Sequence, residues 1–88
     1  MGKSIKNLSS VTVVGLDIAK SVFQVHGVDA EGALVVAKPV RRGQLLSFFV
    51  SLPRCLVGLE ACSSAHHWAR SLLELGHQVK LIPPAELR

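Results

Sequence analysis

Two short runs hold the residues that could do chemistry. Val13-Val-Gly-Leu-Asp17 and Leu56-Val-Gly-Leu-Glu60 share one grammar, an apolar stretch with a central glycine and a carboxylate at its end. Read as strands, both place an acid at the carboxyl terminus, where ligand sites gather in open α/β sheets. If the strands are neighbours, the carboxylates face one crevice. Two acids a few ångströms apart in an apolar setting repel, and a shared proton or a divalent cation relieves the repulsion. Magnesium suits all-oxygen sites and needs few protein carboxylates, because water and substrate phosphate complete its shell. Paired ions about 3.5 to 4 Å apart drive in-line phosphoryl displacement. Either acid alone is a polar end to a strand; the repetition makes a metal-binding pair the stronger reading.

Other side chains invite weaker readings. His66 and Arg70 lie one helical turn apart beyond Glu60 and suit phosphate contacts. Lys20 is a turn residue as readily as a backbone contact. Cys55, Cys62, His66 and His67 fall within thirteen positions, yet a zinc site is disfavoured. Adjacent helix residues point about 100° apart, and Cys55 begins the strand that Glu60 ends. Trp68 reads as core rather than as a platform for a base. His26 and His77 read as surface or strand-edge positions, and Arg41-Arg42 as a solvated helix start in preference to a phosphate contact.

The elements that position these residues follow from periodicity and punctuation. Val11 to Ile18 is nearly continuous and β-branched, which predicts a central strand buried on both faces. Val22 to Val28 alternates, Asp29-Ala-Glu-Gly32 is turn chemistry, and Ala33 to Lys38 predicts a third strand ending before Pro39. Leu45, Phe48, Phe49 and Leu52 recur at helical spacing, so a short helix is expected over 43–52, stopped by Pro53. After the strand Cys55 to Glu60, Ser63 or Ser64 caps a helix whose core stripe is Ala65, Trp68, Ala69, Leu72 and Leu75. Gly76 ends it, and Gln78 to Ile82 is the last strand, closed by Pro83-Pro84. The order β-β-β-α-β-α-β, with right-handed crossovers, is that of a ribonuclease H-like mixed five-stranded sheet. Helical structure usually follows the fifth strand of that fold, so the sequence reads as C-terminally truncated. Residues 1–10 read as a loose leader and 11–88 as one domain part.

Composition narrows the classes. Eighty-eight residues hold one small domain or part of a larger one. Hydrophobic residues make up 49% and charged residues 18%, with a mean hydropathy of +0.40, which excludes intrinsic disorder. The longest stretch free of Asp, Glu, Lys and Arg is the 11 residues Gly43 to Pro53, whereas a spanning helix needs about 20. No membrane partner is expected. Asp17 interrupts the apolar run after Lys3 and Lys6, so a signal peptide is not expected either. Cys55 and Cys62 at the two ends of a strand would lie about 20 Å apart, too far for a disulfide, which points to the cytoplasm. A net charge of +4 favours an anionic partner such as nucleic acid.

Four motifs carry a family resemblance: Gly15-Leu-Asp-Ile-Ala-Lys20, Gly58-Leu-Glu-Ala-Cys62, Ala65-His-His-Trp-Ala-Arg70 and Gly76-His-Gln-Val-Lys-Leu-Ile-Pro-Pro84. In order and spacing they resemble the N-terminal domain of transposases of the insertion sequence one-hundred-ten family, relatives of Piv-type DNA invertases. The resemblance covers nearly the whole chain, from Val11 onward. It implies a RuvC-like, ribonuclease H-type domain with an Asp-Glu-Asp-Asp set binding Mg2+ or Mn2+, in which Asp17 is the first acid and Glu60 the second. The third and fourth acids and the family's C-terminal domain with its strand-transfer serine lie outside this sequence. DNA as substrate, a structured guide RNA, homo-oligomeric full-length protein and a nucleoid-associated location are further implications. Metal-dependent DNA cleavage and strand transfer would be the activity, with these 88 residues incomplete alone.

Two rivals belong to other classes. Actin-like ATPases and sugar kinases also open with an acid at the end of strand one, but they need a Gly- and Thr-rich turn after it, and Ile18-Ala-Lys-Ser21 contains no glycine. A non-catalytic remnant that binds nucleic acid is the other.

Overall fold

Alternation of apolar side chains builds a sheet with one wet face and one dry face. The computed structural model describes residues 8–83. Strand β1 (Val13–Asp17) buries Val14 and Leu16 and turns Val13, Gly15 and Asp17 outward. Strand β2 (Val22–Val28) runs antiparallel to it, burying Phe23, Val25 and Gly27. The hairpin to β3 (Leu34–Arg41) is held by Asp29, whose carboxylate accepts the Glu31 and Ala33 amides at 2.9 Å each. Gly32 supplies the positive φ of 85° that this turn requires.

A 3-10 turn (Arg42–Gln44) leads into helix α1 (Leu45–Val50), then β4 (Leu56–Glu60), helix α2 (Ala65–Glu74) and β5 (Gln78–Ile82). The strand order is β3-β2-β1-β4-β5, with β4 parallel to β1 and β5 parallel to β4. The α/β class, the mixed five-stranded sheet and its two helices agree with the sequence reading. Both helices pack on the face carrying Val14, Leu16, Phe23, Val25, Val40, Val57 and Leu59, where Leu45, Phe49, Trp68 and Leu72 complete the core. Full burial of Phe49 is worth about 1.5–3 kcal/mol, and Phe49→Ala would cost about 3–5 kcal/mol with the cavity included.

α2 ends in a Schellman turn. The Gly76 amide donates to Leu73 O at 3.0 Å and the His77 amide to Leu72 O at 3.2 Å, with Gly76 at φ 99°. That turn drives His77 inward.

Several expectations need correction. β1 is shorter than 11–18, and neither central strand is covered on both faces among the described residues: Val13 is 41% exposed, on the face opposite the helices. A strand of mixed apolar parity is buried twice only if a second layer exists. β3 does not stop at Lys38 but continues through Pro39 to Arg41. It is an edge strand, so Pro39's missing amide breaks no ladder. Arg41 thus closes a strand rather than opening a helix. Leu75 lies outside the core at 37% exposure, because the helix has ended at Glu74. The expected leader falls mostly outside the described residues; Leu8–Ser10 form a 3-10 turn with Leu8 packed on the core. Pro84 also lies outside them.

Candidate carboxylate site

The parallel register of β1 and β4 brings the two acids together. Val13 lies opposite Leu56, Gly15 opposite Gly58 and Leu16 opposite Leu59, so Asp17 and Glu60 are the next residues of the two strands. Neighbouring strands run about 4.8 Å apart, and matching parity sends both carboxylates to one face, which carries no helix among the described residues. Asp17 is exposed and faces Gln24 across β2; Glu60 is half-buried and faces Ile82 across β5. Among the described residues neither carboxylate has a hydrogen bond or an ion pair.

One row inward, Gly15 and Gly58 stand side by side, flanked by His26 and Lys80. A Cβ on Gly15 would meet nothing closer than His26 O at 4.0 Å. The floor is open over Gly15, whereas Ile82 Cδ1 lies 3.0 Å from where a Cβ on Gly58 would sit and covers that position. No group of three or more His, Cys, Asp or Glu side chains gathers among the described residues, so the acidic set there is this pair.

The basic candidates divide between edge and helix layer. Lys20 sits exposed in the β1–β2 turn, at the edge where Asp17 and Glu60 end, and its carbonyl accepts a hydrogen bond from Arg42 Nη1 at 3.3 Å. His66 and Arg70 are exposed on α2, across the sheet from the acids. His66 lies in the first turn, near that edge; Arg70 lies about 6 Å further along the axis. Between them Trp68 packs in the core at 5% exposure, edge-on to Phe23 at 5.2 Å, with His67 and the Arg42 guanidinium against its ring. Its Nε1 has no partner among the described residues.

Cys55, Cys62, His66 and His67 do not converge among the described residues. Cys55 lies at the amino end of β4 and Cys62 beyond its carboxyl end, exposed beside Ser64. Cys55 meets His77, a contact that sequence reasoning missed by placing His77 at the surface or a strand edge. His77 is 4% exposed. Its Nδ1 accepts the Cys55 amide at 3.2 Å and lies 3.5 Å from Cys55 Sγ, while Nε2 faces Phe49 O at 2.9 Å. Burial pushes the Cys55 thiol up, the opposite of an activated nucleophile. The available signal was position: the residue after a helix-ending glycine commonly packs back on its helix.

No family model and no solved structure matches the chain. No helix among the described residues is long and apolar enough to cross a membrane. Curated relatives do match. A Pseudomonas aeruginosa protein named "Probable family 20 transposase" is 58% identical over 71 residues, 81% of this chain and 21% of the relative. The transposase for insertion sequence element IS1328 of Yersinia enterocolitica is 40% identical over 81 residues, 92% of this chain and 24% of the relative. The transposase for insertion sequence element IS1111A of Coxiella burnetii is 35% identical over 83 residues, 94% of this chain and 23% of the relative. The chain thus spans about a fifth to a quarter of the length of these relatives. Across four-fifths or more of its own length, it is a homologue of the transposases of insertion sequence elements.

Proposed function

We propose that these residues supply the first two carboxylates of a metal-dependent DNA transposase site, carried on a ribonuclease H-like, RuvC-like sheet. One observation carries the reading: Asp17 and Glu60 end adjacent parallel strands on the same face, after matching Val-Gly-Leu runs, in a chain related to transposases. That kinship favours DNA phosphodiesters over the nucleotide of an ATPase.

The donors fit a hard cation. Two carboxylates, with no third His, Cys, Asp or Glu gathered beside them among the described residues, leave most of the shell to water and phosphate oxygens, as Mg2+ and Mn2+ prefer. Such a cation supplies charge neutralisation at the scissile phosphate and a more acidic attacking hydroxyl or water. The protein's own part is positioning. Asp17 and Glu60 hold negative oxygens at one edge, and the open position at Gly15 lets a bulky backbone come close. Lys20 meets phosphate at that edge, and His66 and Arg70 meet DNA that passes the start of α2. Two acids are too few for the full two-metal reaction, so this chain alone binds without cutting. A structured guide RNA, a homo-oligomer and a nucleoid-associated cytoplasmic location belong to the same reading through the family resemblance.

Mn2+ titration of the isotope-labelled chain tests it. Paramagnetic broadening is expected to centre on Asp17 and Glu60 and to vanish in Asp17→Asn with Glu60→Gln. Broadening at the histidines alone, or unchanged in the double variant, overturns the metal assignment.

A further inference from the structure

Of the two adjacent arginines, one is occupied within the protein and the other is free. Arg42 donates its backbone amide to Ser21 O at 2.8 Å and Nη1 to Lys20 O at 3.3 Å, and its guanidinium lies 5.6 Å from the centre of the Trp68 ring. It ties the end of β3 to the β1–β2 turn and to α2. Arg41 is exposed, and among the described residues its side chain has no partner. Register fixes its side of the sheet: Arg41 pairs with Val22 and Pro39 with Gln24, which in turn pairs with Asp17. Arg41 therefore shares the open face with Asp17 and Glu60, three strands from Glu60 and, from Asp17, two strands over and one row nearer the edge. The separation from Asp17 is about 12 Å, a span of a few nucleotides.

The geometry points to Arg41 as a contact for the sugar-phosphate backbone of DNA lying across the carboxylate pair, with Arg42 as the residue that positions it. This rests on the DNA-binding reading above and names a residue which that reading leaves out. Among the described residues Asp29, Glu31 and Glu74 lie towards the opposite edge, so no acid besides the site pair competes for Arg41 there. A planar guanidinium on a strand end anchored by three elements is suited to a bidentate grip on phosphate.

The test is the salt dependence of binding of this chain to a short DNA duplex, in EDTA so that metal plays no part. Arg41→Ala is expected to weaken binding by a similar factor for unrelated sequences and to lower the slope of log affinity against log salt by about one. Arg41→Lys restores the slope, and Arg54→Ala, at the opposite edge, leaves it unchanged. The Arg41→Ala melting temperature stays at the wild-type value, whereas that of Arg42→Ala falls. An unchanged slope in Arg41→Ala with wild-type DNA binding intact overturns this assignment and leaves the DNA reading standing. Loss confined to an RNA duplex overturns it in favour of RNA, and wild-type protein that binds no DNA overturns both.

Discussion

His77 Nε2 lies 2.9 Å from the carbonyl oxygen of Phe49, with the two rings edge-on at 5.4 Å. Because Nδ1 accepts the Cys55 amide, the proton sits on Nε2 and is donated to Phe49 O. One imidazole thus joins the end of α1, the start of β4 and the turn into β5. The buried Cys55 amide finds its partner in it, and Phe49 O, which also accepts the Leu52 amide at 3.2 Å, gains a second donor.

His77→Ala strands the Cys55 amide, while Phe49 O keeps the Leu52 amide at 3.2 Å. An unsatisfied buried amide costs about 1–3 kcal/mol, so a loss of that size is expected. For a domain of this size, each kcal/mol lowers the melting temperature by about 4–8 °C. A calorimetric melt measures the loss, and nitrogen chemical shifts should report the Nε2–H tautomer. A melt within 2 °C of wild type (~0.5 kcal/mol at most) would contradict the staple.

Cys55 sets a pH limit. Burial raises its thiol above the ordinary value of 9.0, so the folded state keeps the proton longer than the unfolded chain does. This contribution to stability is fully present below the unfolded value and is lost as pH rises from there through the folded one. Cys55→Ala is expected to flatten the alkaline fall in stability, read by urea unfolding from pH 8 upward. In the native protein a thiol reagent should modify exposed Cys62 well before Cys55.

Local patterns made part of this legible. β2 and β5 fall on the bounds that their alternation predicts, and the acids stand out because a strand-terminal carboxylate after Val-Gly-Leu occurs twice. What escaped is non-local. Pro39 reads as a stop unless β3 is known to be an edge, and His77 reads as a surface or strand-edge position because its partners lie 22 and 28 residues away. Arg41 cannot be placed beside the acids without two successive registers, β3 on β2 and β2 on β1.

Two strand glycines separate packing from approach. A Cβ at Gly27 would meet Val36 Cγ1 at 2.9 Å and Val11 methyls at 3.4 Å, so Gly27→Ala overpacks a buried position and is expected to cost about 1–3 kcal/mol. Gly15→Ala meets open space and should be neutral or stabilise by about 0.5–1 kcal/mol. Equal losses in the two variants, measured by denaturant melts, would show that Gly15 serves the chain's own packing.

The last prediction concerns the helix-free face. Val13 at 41%, Val22 at 36% and Leu34 at 52% are exposed there, with Val28, Leu56 and Ile82 half-buried among them. Leu34, Val28, Val13 and Leu56 form one row across four strands, at the edge away from the acids. Gly15 leaves the next row low on β1, so a second surface can settle closely there. A contiguous apolar patch of more than a few hundred Å² is uncommon on soluble monomers, and water excluded from such a row is a driving force for association. This chain is therefore expected to pair with a second copy through that face at high concentration and to bind a hydrophobic dye. Leu34→Lys with Val13→Thr should shift sedimentation toward monomer and lower dye binding. Because both side chains are exposed, the melting temperature should hold. A wild-type chain that sediments as a monomer at high concentration without binding dye would mean that the half-buried side chains and polar neighbours suffice to keep this face in water.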